Sequence, residues 1–312
     1  MATAKSIDVI LNPAAGGGAG RKHRSEIERE LAARDVACRV HESTGPGDAV
    51  NQARSLVQQG ARVIVAAGGD GTMHEVANGI LEADSPGECA LGLIPLGTGN
   101  DFVKVVPGTR ARMDAYQTLA HGVSERFDVG QASWDGRKEF FLNGMGTGVD
   151  VEVVRQLQSL PPLPGALKYL LALLRALIGY SPVELTVNVD GVGLRERVMI
   201  VAVGNGVCQG GGFYLAPDAT PKDGLLDLCL VKRLSALGMA RVLPRILRGT
   251  QRGDPAVFMR TGREFRFEAD RAPSLFFHLD GELREARTSG SVQVRVLPAR
   301  LPVLTRSTPV GR

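Results

Sequence analysis

Three glycine-rich stretches, each standing where an apolar strand-like run hands over to a helix-like one, constrain this chain more than any other feature. Asn12-Pro13-Ala14-Ala15-Gly16-Gly17-Gly18 follows a strand expected at 6–11. Gly68-Gly69-Asp70-Gly71-Thr72 follows one at 62–67, and Leu96-Gly97-Thr98-Gly99-Asn100-Asp101 follows one at 90–95. A further short strand is expected at 37–41. Helices are expected at 21–34, with Ile27 and Leu31 four apart, at 49–57, and at 72–81, with Met73, Val76, Ala77, Ile80 and Leu81 on one face. The nearly all-apolar run 62–67 suits the centre of a parallel sheet covered on both faces. Such alternation predicts right-handed crossovers and a doubly wound layer. Ligands of open α/β sheets sit beyond the carboxyl ends of the strands. Glycine lets backbone N–H groups approach phosphate there, and helix N-termini favour anions. Three such loops on one sheet edge predict a nucleotide pocket.

The pattern changes near residue 125. Strands are expected at 126–134, 139–143, 183–190, 195–203, 225–232, 264–268, 275–279 and 291–297, with helices near 167–178 and 236–247. Asp135-Gly136 and Asp190-Gly191 are hairpin signals between them. The predicted organisation is an α/β nucleotide-binding domain over 1–125, a mainly antiparallel β domain over 126–300, and a tail over 301–312. Leu167, Leu170, Leu171, Leu174, Leu177 and Ile178 form an apolar stripe, with Lys168 and Arg175 opposite. It is either core packing or a lid or lipid-facing wall.

Composition narrows the class. At 312 residues and 44% hydrophobic, the chain can build one large core or two ordinary ones. A net charge of +4 suits an anionic partner, whether nucleotide, acidic lipid surface or nucleic acid, and selects none of them. Cys38, Cys89, Cys208 and Cys229 lie far apart with no Cys-x-x-Cys pair, which argues against a disulfide framework or zinc site and fits a reducing compartment. The first residues lack a signal-peptide apolar region. The most apolar segment, 167–180, is interrupted by Arg175 and falls short of the roughly 20 residues a spanning helix needs. Membrane contact would be peripheral. No Gly-x-x-x-x-Gly-Lys-[Ser/Thr] loop occurs. Five Asp-Gly pairs, at Asp70, Asp135, Asp190, Asp223 and Asp280, are too many for all to be functional.

Six landmarks in order carry a resemblance. They are NPAAGGG at 12–18; GGDGT at 68–72, preceded by VIVAA and followed by Asn78-Gly79; IPLGTGNDF at 94–102; NGMGTGVDVEV at 143–153; GNGVCQGGGFYLAPDATPKDGLLDL at 204–228; and LDGE at 279–282. Together they resemble the diacylglycerol kinase catalytic family, in its small bacterial soluble lipid kinase form. That family shares its nucleotide domain with NAD kinases and 6-phosphofructokinases. The resemblance implies an N-terminal α/β nucleotide-binding domain, a C-terminal antiparallel β domain, and an active site in the cleft between them. It implies an ATP-dependent kinase acting with Mg²⁺ on the hydroxyl of a membrane lipid, diacylglycerol or a related one. Such an enzyme would be cytoplasmic, touch the membrane peripherally, bind no nucleic acid, and be compatible with a homodimer.

By the same resemblance, Gly68, Gly69, Gly71 and Thr72 would bind the ATP phosphates, and Asp70 would hold Mg²⁺ directly or through water. Asn12 and Thr98 would complete the nucleotide pocket, with Thr44 at its edge; loop capping is the alternative for Asn12 and Thr44. Asp280 and Glu282 would serve the acceptor, one as general base and the other orienting or binding metal, and the residues alone do not choose between them. An Asp-Gly hairpin turn is the structural alternative, and Asp70 is next in line as the base. Thr220, Asp223 and Leu225 match a Mg²⁺ loop, Asp223 giving a carboxylate and the others their carbonyls; the alternative is a tight turn before the strand at 225–232. Asp101 and Asp128 are either a carboxylate network or a helix cap and a strand-end turn. His74 either touches phosphate or is a solvated first-turn residue. The rival readings are a soluble-substrate kinase of NAD kinase type and a non-catalytic nucleotide- or lipid-binding relative. Against the first stands the lack of an Asn-Glu pair after strand four and of a Thr-Pro-Thr-Gly-Ser-Thr stretch. Against the second stand Asp70, Asp280 and Glu282.

Overall fold

The computed structural model describes residues 5–83, 88–161, 165–177, 180–270 and 274–306. The chain divides into two compact units, Met1–Phe127 with Ala299–Arg312, and Asp128–Pro298.

The first unit is the α/β layer. Strands β1 (Lys5–Leu11), β2 (Val36–Glu42), β3 (Val63–Gly68) and β4 (Ala90–Pro95) lie in the order β2-β1-β3-β4, all parallel. Strands β3 and β4 are buried at every position, as their apolar sequences require. Helix α1 (Arg24–Ala32) buries Ile27 and Leu31. It begins after a 3₁₀ turn at Gly20–His23 rather than at residue 21. Helices α2 (Asp48–Gln58) and α3 (Asp70–Glu82) pack closely through Gly79. A Cβ there would meet the Val50 carbonyl at 2.3 Å and the Ala53 Cβ at 2.6 Å. Helix α4 (Arg112–His121), not expected from the sequence, covers β4: a Cβ on Gly92 would lie 2.6 Å from the Leu119 side chain.

Residues 301–305, expected to begin a tail, are instead the end of the last strand among the described residues. Val303 sits parallel to Leu91 of β4, and Leu301, Val303, Leu304 and Thr305 are all at most 4% exposed. The alternating apolar residues outweigh the Pro and Arg that suggested a tail.

The second unit is mainly antiparallel β. It contains the end of β5 (Val123–Trp134), then β6 (Arg137–Phe141), β7 (Gly144–Gly148), α5 (Val149–Ser159), α6 (Gly165–Leu177), β8 (Val183–Val189), β9 (Val192–Gly204), β10 (Leu226–Lys232), α7 (Ala236–Arg248), β11 (Val257–Gly262), β12 (Glu264–Ala269), β13 (Leu275–Leu279), β14 (Glu282–Ala286) and the start of β15 (Ser291–Thr305). The order is β14-β13-β7-β9-β8-β12-β15, with β10 between β9 and β11 and with β6 on β5. Three Asp-Gly turns, at Asp135, Asp190 and Asp280, place both central residues in the left-handed region, with φ of 45° and 76°, 50° and 84°, and 49° and 92°. This is the hairpin turn whose twist matches that of the strands.

One sheet face forms a core around Leu185, Val187, Phe265, Phe267, Phe277 and Val292. On the other face helices α5, α6 and α7 pack against Met199, Ile200, Cys229 and Val231. The expected stripe on α6 is only partly inward. Ala172, Leu173 and Ala176 are buried, while Leu174 is 49% exposed beside exposed Arg175. Leu171 and Leu177 pack at its flank, and the side chains of Leu167, Leu170 and Ile178 fall outside those described. The two alanines let the helix approach closely, so it turns their side inward. Among the described residues, no helix is long and apolar enough to cross a membrane.

Candidate active site

The three glycine loops of the first unit meet at the carboxyl ends of β1, β3 and β4. Asn12, just past β1, accepts the Ala14 N–H at 2.9 Å through Oδ1 and donates from Nδ2 to Thr72 Oγ1 at 3.1 Å. It is thus a loop cap and also the link from the first loop to the second. Gly68 leaves room for that hydroxyl, since a Cβ there would lie 2.2 Å from Thr72 Oγ1. Gly69 precedes α3 in extended conformation, and Asp70, Gly71 and Thr72 form the first turn, with their N–H groups at the helix N-terminus. A Cβ on Gly97 would stand 2.5 Å from the Gly69 Cα, and one on Gly16 would lie 2.9 Å from the Leu96 carbonyl. Backbone therefore runs against backbone, and Gly16, Gly17 and Gly18 all hold positive φ.

Asp70 ties the third loop to the second. Its Oδ1 accepts the N–H groups of Asp101 at 2.6 Å and Phe102 at 3.4 Å, and a Cβ on Gly99 would lie 2.9 Å from its Oδ2. Asp101 is buried and pairs with Lys104 Nζ at 2.5 Å. Thr98 is exposed at the tip of the third loop. Thr44 is tied to the first residue of α2: its N–H and hydroxyl both donate to Asp48 Oδ2, at 2.7 and 2.8 Å, and hold that carboxyl below the usual range. His74 is 3% exposed, so it is not the solvated residue offered as one alternative; the inner face of α3 places it beside Met73 and Ala77. The assembly offers amide hydrogens, a helix N-terminus and hydroxyls to an anion, with a carboxylate set among them.

In the second unit, Asp280 is the first central residue of the β13–β14 turn. Its Oδ2 accepts the Leu142 N–H, and its Oδ1 accepts those of Asn143 and Gly144, all at 2.9 Å. The other two turn aspartates do the same work. Asp135 takes the N–H groups of Arg287 and Thr288 at 2.6 and 3.2 Å. Asp190 takes those of Arg263 and Glu264 at 3.1 and 2.8 Å. Glu282, two residues past Asp280, is exposed at the start of β14, and its carboxylate has no hydrogen-bond partner among the described residues.

Sequence reasoning singled out neither the asparagines nor the histidine beside this turn. Asn143 donates from Nδ2 to the Cys208 carbonyl at 2.8 Å, and Asn205 donates to the carbonyls of Leu142 and Asp128 at 2.7 and 2.9 Å. The His278 Nδ1 accepts the Gly281 N–H at 3.3 Å, so the ring proton sits on Nε2, facing Asp150 Oδ2 at 3.4 Å. The signal for the asparagines was present, since each precedes a glycine within a quoted landmark.

The loop at 220–225 is pinned by Asp128, which donates its N–H to the Pro221 carbonyl at 2.8 Å and accepts the Gly224 N–H at 2.7 Å. The Thr220 carbonyl accepts the Lys222 N–H at 2.8 Å, and Asp223 Oδ1 accepts the Leu225 N–H at 3.0 Å. Burial, and then the carboxylates of Asp223 and Asp218, push the Asp227 carboxyl up to about 6. Among the described residues no three His, Cys, Asp or Glu side chains are placed to hold a metal. A cation here would rest on Asp223, backbone carbonyls and water. A carboxylate with backbone carbonyls and water is an oxygen donor set that fits Mg²⁺.

An α/β unit with three fused glycine loops and an antiparallel β unit with an acidic hairpin turn are the two parts that the diacylglycerol kinase type of lipid kinase combines. The chain belongs to the diacylglycerol kinase catalytic-domain family of lipid kinases. The diacylglycerol kinase catalytic domain matches residues 6–132, and the YegS C-terminal NAD kinase beta sandwich-like domain matches residues 143–305. A Bacillus subtilis (strain 168) protein named diacylglycerol kinase is 30% identical over 280 residues, 89% of this chain and 90% of that one. An Enterobacter sp. (strain 638) protein named "Probable lipid kinase YegS-like" is 29% identical over 307 residues, 97% and 98% of the two chains. A crystal structure of a diacylglycerol kinase from Bacillus anthracis str. Sterne superposes with a TM-score of 0.71, over 99% of this chain and 98% of that one, at 20% identity. Another structure from that strain reaches 0.78 at 22% identity, over 99% of both chains. At such identities these two speak for the fold.

Proposed function

We propose that the protein transfers the γ-phosphoryl group of ATP to the hydroxyl of a membrane lipid, diacylglycerol or a related one, with Glu282 as general base. The observation that carries the choice of base is the Asp280 carboxylate, occupied by three backbone N–H groups while Glu282 stands exposed two residues away. An acceptor proton needs a carboxylate with open lone pairs. Asp280 then fixes the turn from which Glu282 projects.

Phosphoryl transfer asks for positioning and charge neutralisation more than covalent help. The N–H groups of Gly68, Gly69, Gly71 and Thr72 bind the ATP phosphates, and Asn12 orients the Thr72 hydroxyl. Thr98 and Thr44 border the pocket. Asp70 would hold Mg²⁺ directly or through water, and Asp223 with the carbonyls of Thr220 and Leu225 would hold a separate Mg²⁺ at the 220–225 loop. When bound, the cation at Asp70 neutralises phosphate charge. The lipid acceptor is supported by the names of the relatives, and peripheral membrane contact follows from such a substrate.

The test is single-turnover transfer from labelled ATP to a panel of dispersed lipids, with calorimetric ATP titration. Glu282→Gln is expected to bind ATP normally and to turn over at least ~100-fold more slowly. A near-normal rate would remove Glu282 as the base. Transfer to NAD and to no lipid would replace the acceptor assignment.

A further inference from the structure

We propose that helix α7 of the second unit is a docking surface for an anionic lipid bilayer. The helix, ALGMARVLPRILR, is capped by Ser235, whose hydroxyl accepts the Gly238 N–H at 3.2 Å, and is closed by Gly249 in the left-handed conformation. Its inner face, Met239, Val242 and Ile246, is buried in the helical layer. At 3.6 residues per turn, Leu237, Arg241, Pro244 and Arg248 fall on one line along the outer face, and all four are exposed. Leu237 is 83% exposed, the largest exposure of any large apolar side chain described, and Leu247 flanks the line at 43%. Leu234, Ser235, Leu237, Gly238, Ala240 and Arg241 line an open depression of about 670 Å³ at its start.

The charge on the helix itself has one sign. The helix contains no Asp or Glu. Two of its arginines pair with Asp254, whose fully buried side chain takes Arg241 at 3.0 Å and Arg245 at 2.6 Å. Each guanidinium remains nearly half exposed, so one buried carboxylate anchors two cationic groups at the surface. Arg248 makes no ion pair among the described residues. Three guanidinium groups thus face outward against one carboxylate beneath them.

Leucines among arginines on a convex helix match a bilayer interface. Guanidinium groups take lipid phosphates, and leucine enters the boundary between headgroups and acyl chains. A nucleic acid would use the arginines and gain nothing from Leu237. The proposal rests on the lipid-kinase reading for its purpose, but its measurement does not require catalysis.

The experiment uses the full chain and sedimentation with vesicles of neutral phospholipid, alone or with anionic phospholipid. The variant is Leu237→Glu with Arg248→Glu, which leaves the Asp254 pairs intact; Leu237→Ser with Arg248→Gln is the milder form. Val192→Glu, at an exposed apolar site on the β8–β9 hairpin, is the control. Wild type and control are expected to bind anionic vesicles and to lose binding as salt rises. The α7 variants are expected to bind at least about tenfold more weakly, with unchanged melting temperature. Undiminished vesicle binding by both folded α7 variants would overturn the proposal. So would a variant that keeps vesicle binding but loses self-association or nucleic-acid binding. Transfer to detergent-dispersed lipid separates the two readings. If wild type docks through α7 yet phosphorylates no dispersed lipid, the kinase reading falls and the surface stands. If wild type phosphorylates lipid while the variants bind vesicles undiminished, the surface falls alone.

Discussion

Three aspartates hold the same local geometry, and only Asp280 neighbours the proposed base. Each sits first in a left-handed Asp-Gly turn and accepts backbone N–H groups from a neighbouring segment. Losing the acceptor leaves those donors unsatisfied, at about 1–3 kcal/mol for a buried group. Asp190→Ala and Asp280→Ala are therefore both expected to lower the melting temperature, and only Asp280→Ala to slow lipid phosphorylation as well. Equal activity in the two variants would show that the Asp280 clamp does not position the chemistry. Asp227 gives a pH signature. Its carboxyl keeps its proton up to about 6 when folded and releases it near the ordinary carboxylate value when unfolded. The folded chain thus binds more protons between those values, so this group's contribution to stability is greatest in acid and falls as pH climbs through that window. Asp227→Asn cannot ionise. In chelator it is expected to melt above the parent at pH 8 and level with it at pH 4. A stability difference that does not depend on pH would contradict this.

The elements that position the three glycine loops follow from glycine's missing side chain. Gly97 has less room than Gly69: a Cβ on Gly97 would stand 2.5 Å from backbone, and one on Gly69 3.3 Å. Gly97→Ala is expected to lower the melting temperature more than Gly69→Ala. Gly69→Val should remove ATP binding measured by calorimetry while the chain stays folded. Unchanged ATP affinity in a folded Gly69→Val protein would exclude this loop from the pocket. The same physics decides what was legible in the sequence. Strands β3 and β4 were plain because both faces are covered and every residue is apolar. Strand β7, Gly-Met-Gly-Thr-Gly, gave no strand signal, because its glycines answer to neighbours distant in sequence. A Cβ on Gly144 would lie 2.3 Å from Gln209 Nε2, and one on Gly146 2.3 Å from His278 Nε2. On α6 the expected stripe holds at Leu171 and Leu177, which flank the core, but not at Leu174, because Ala172, Leu173 and Ala176 take the inner face. The glycine loops and the acidic turn were readable as motifs. That Asp280 is already engaged was not, since its partners lie more than 130 residues away.

At the scale of the whole molecule, the first unit is discontinuous in sequence, its sheet completed by residues that follow the entire second unit. A chain ended at Pro298 would lose Leu301, Val303 and Leu304 from that core. At about 1.5–3 kcal/mol for each buried side chain, the loss is roughly 5 kcal/mol or more. Such a chain is expected to melt well below the parent and to lose ATP binding along with it. Retention of both would mean that the last strand is dispensable.

That return has a meaning for synthesis on the ribosome. The glycine loops emerge before the second unit, but the strand that seals β4 emerges only after it, so until then the sheet presents an unpaired edge. Closure of that sheet must therefore wait until the second unit has been made, and a chain cut short within the second unit would carry all three glycine loops without the finished sheet beneath them.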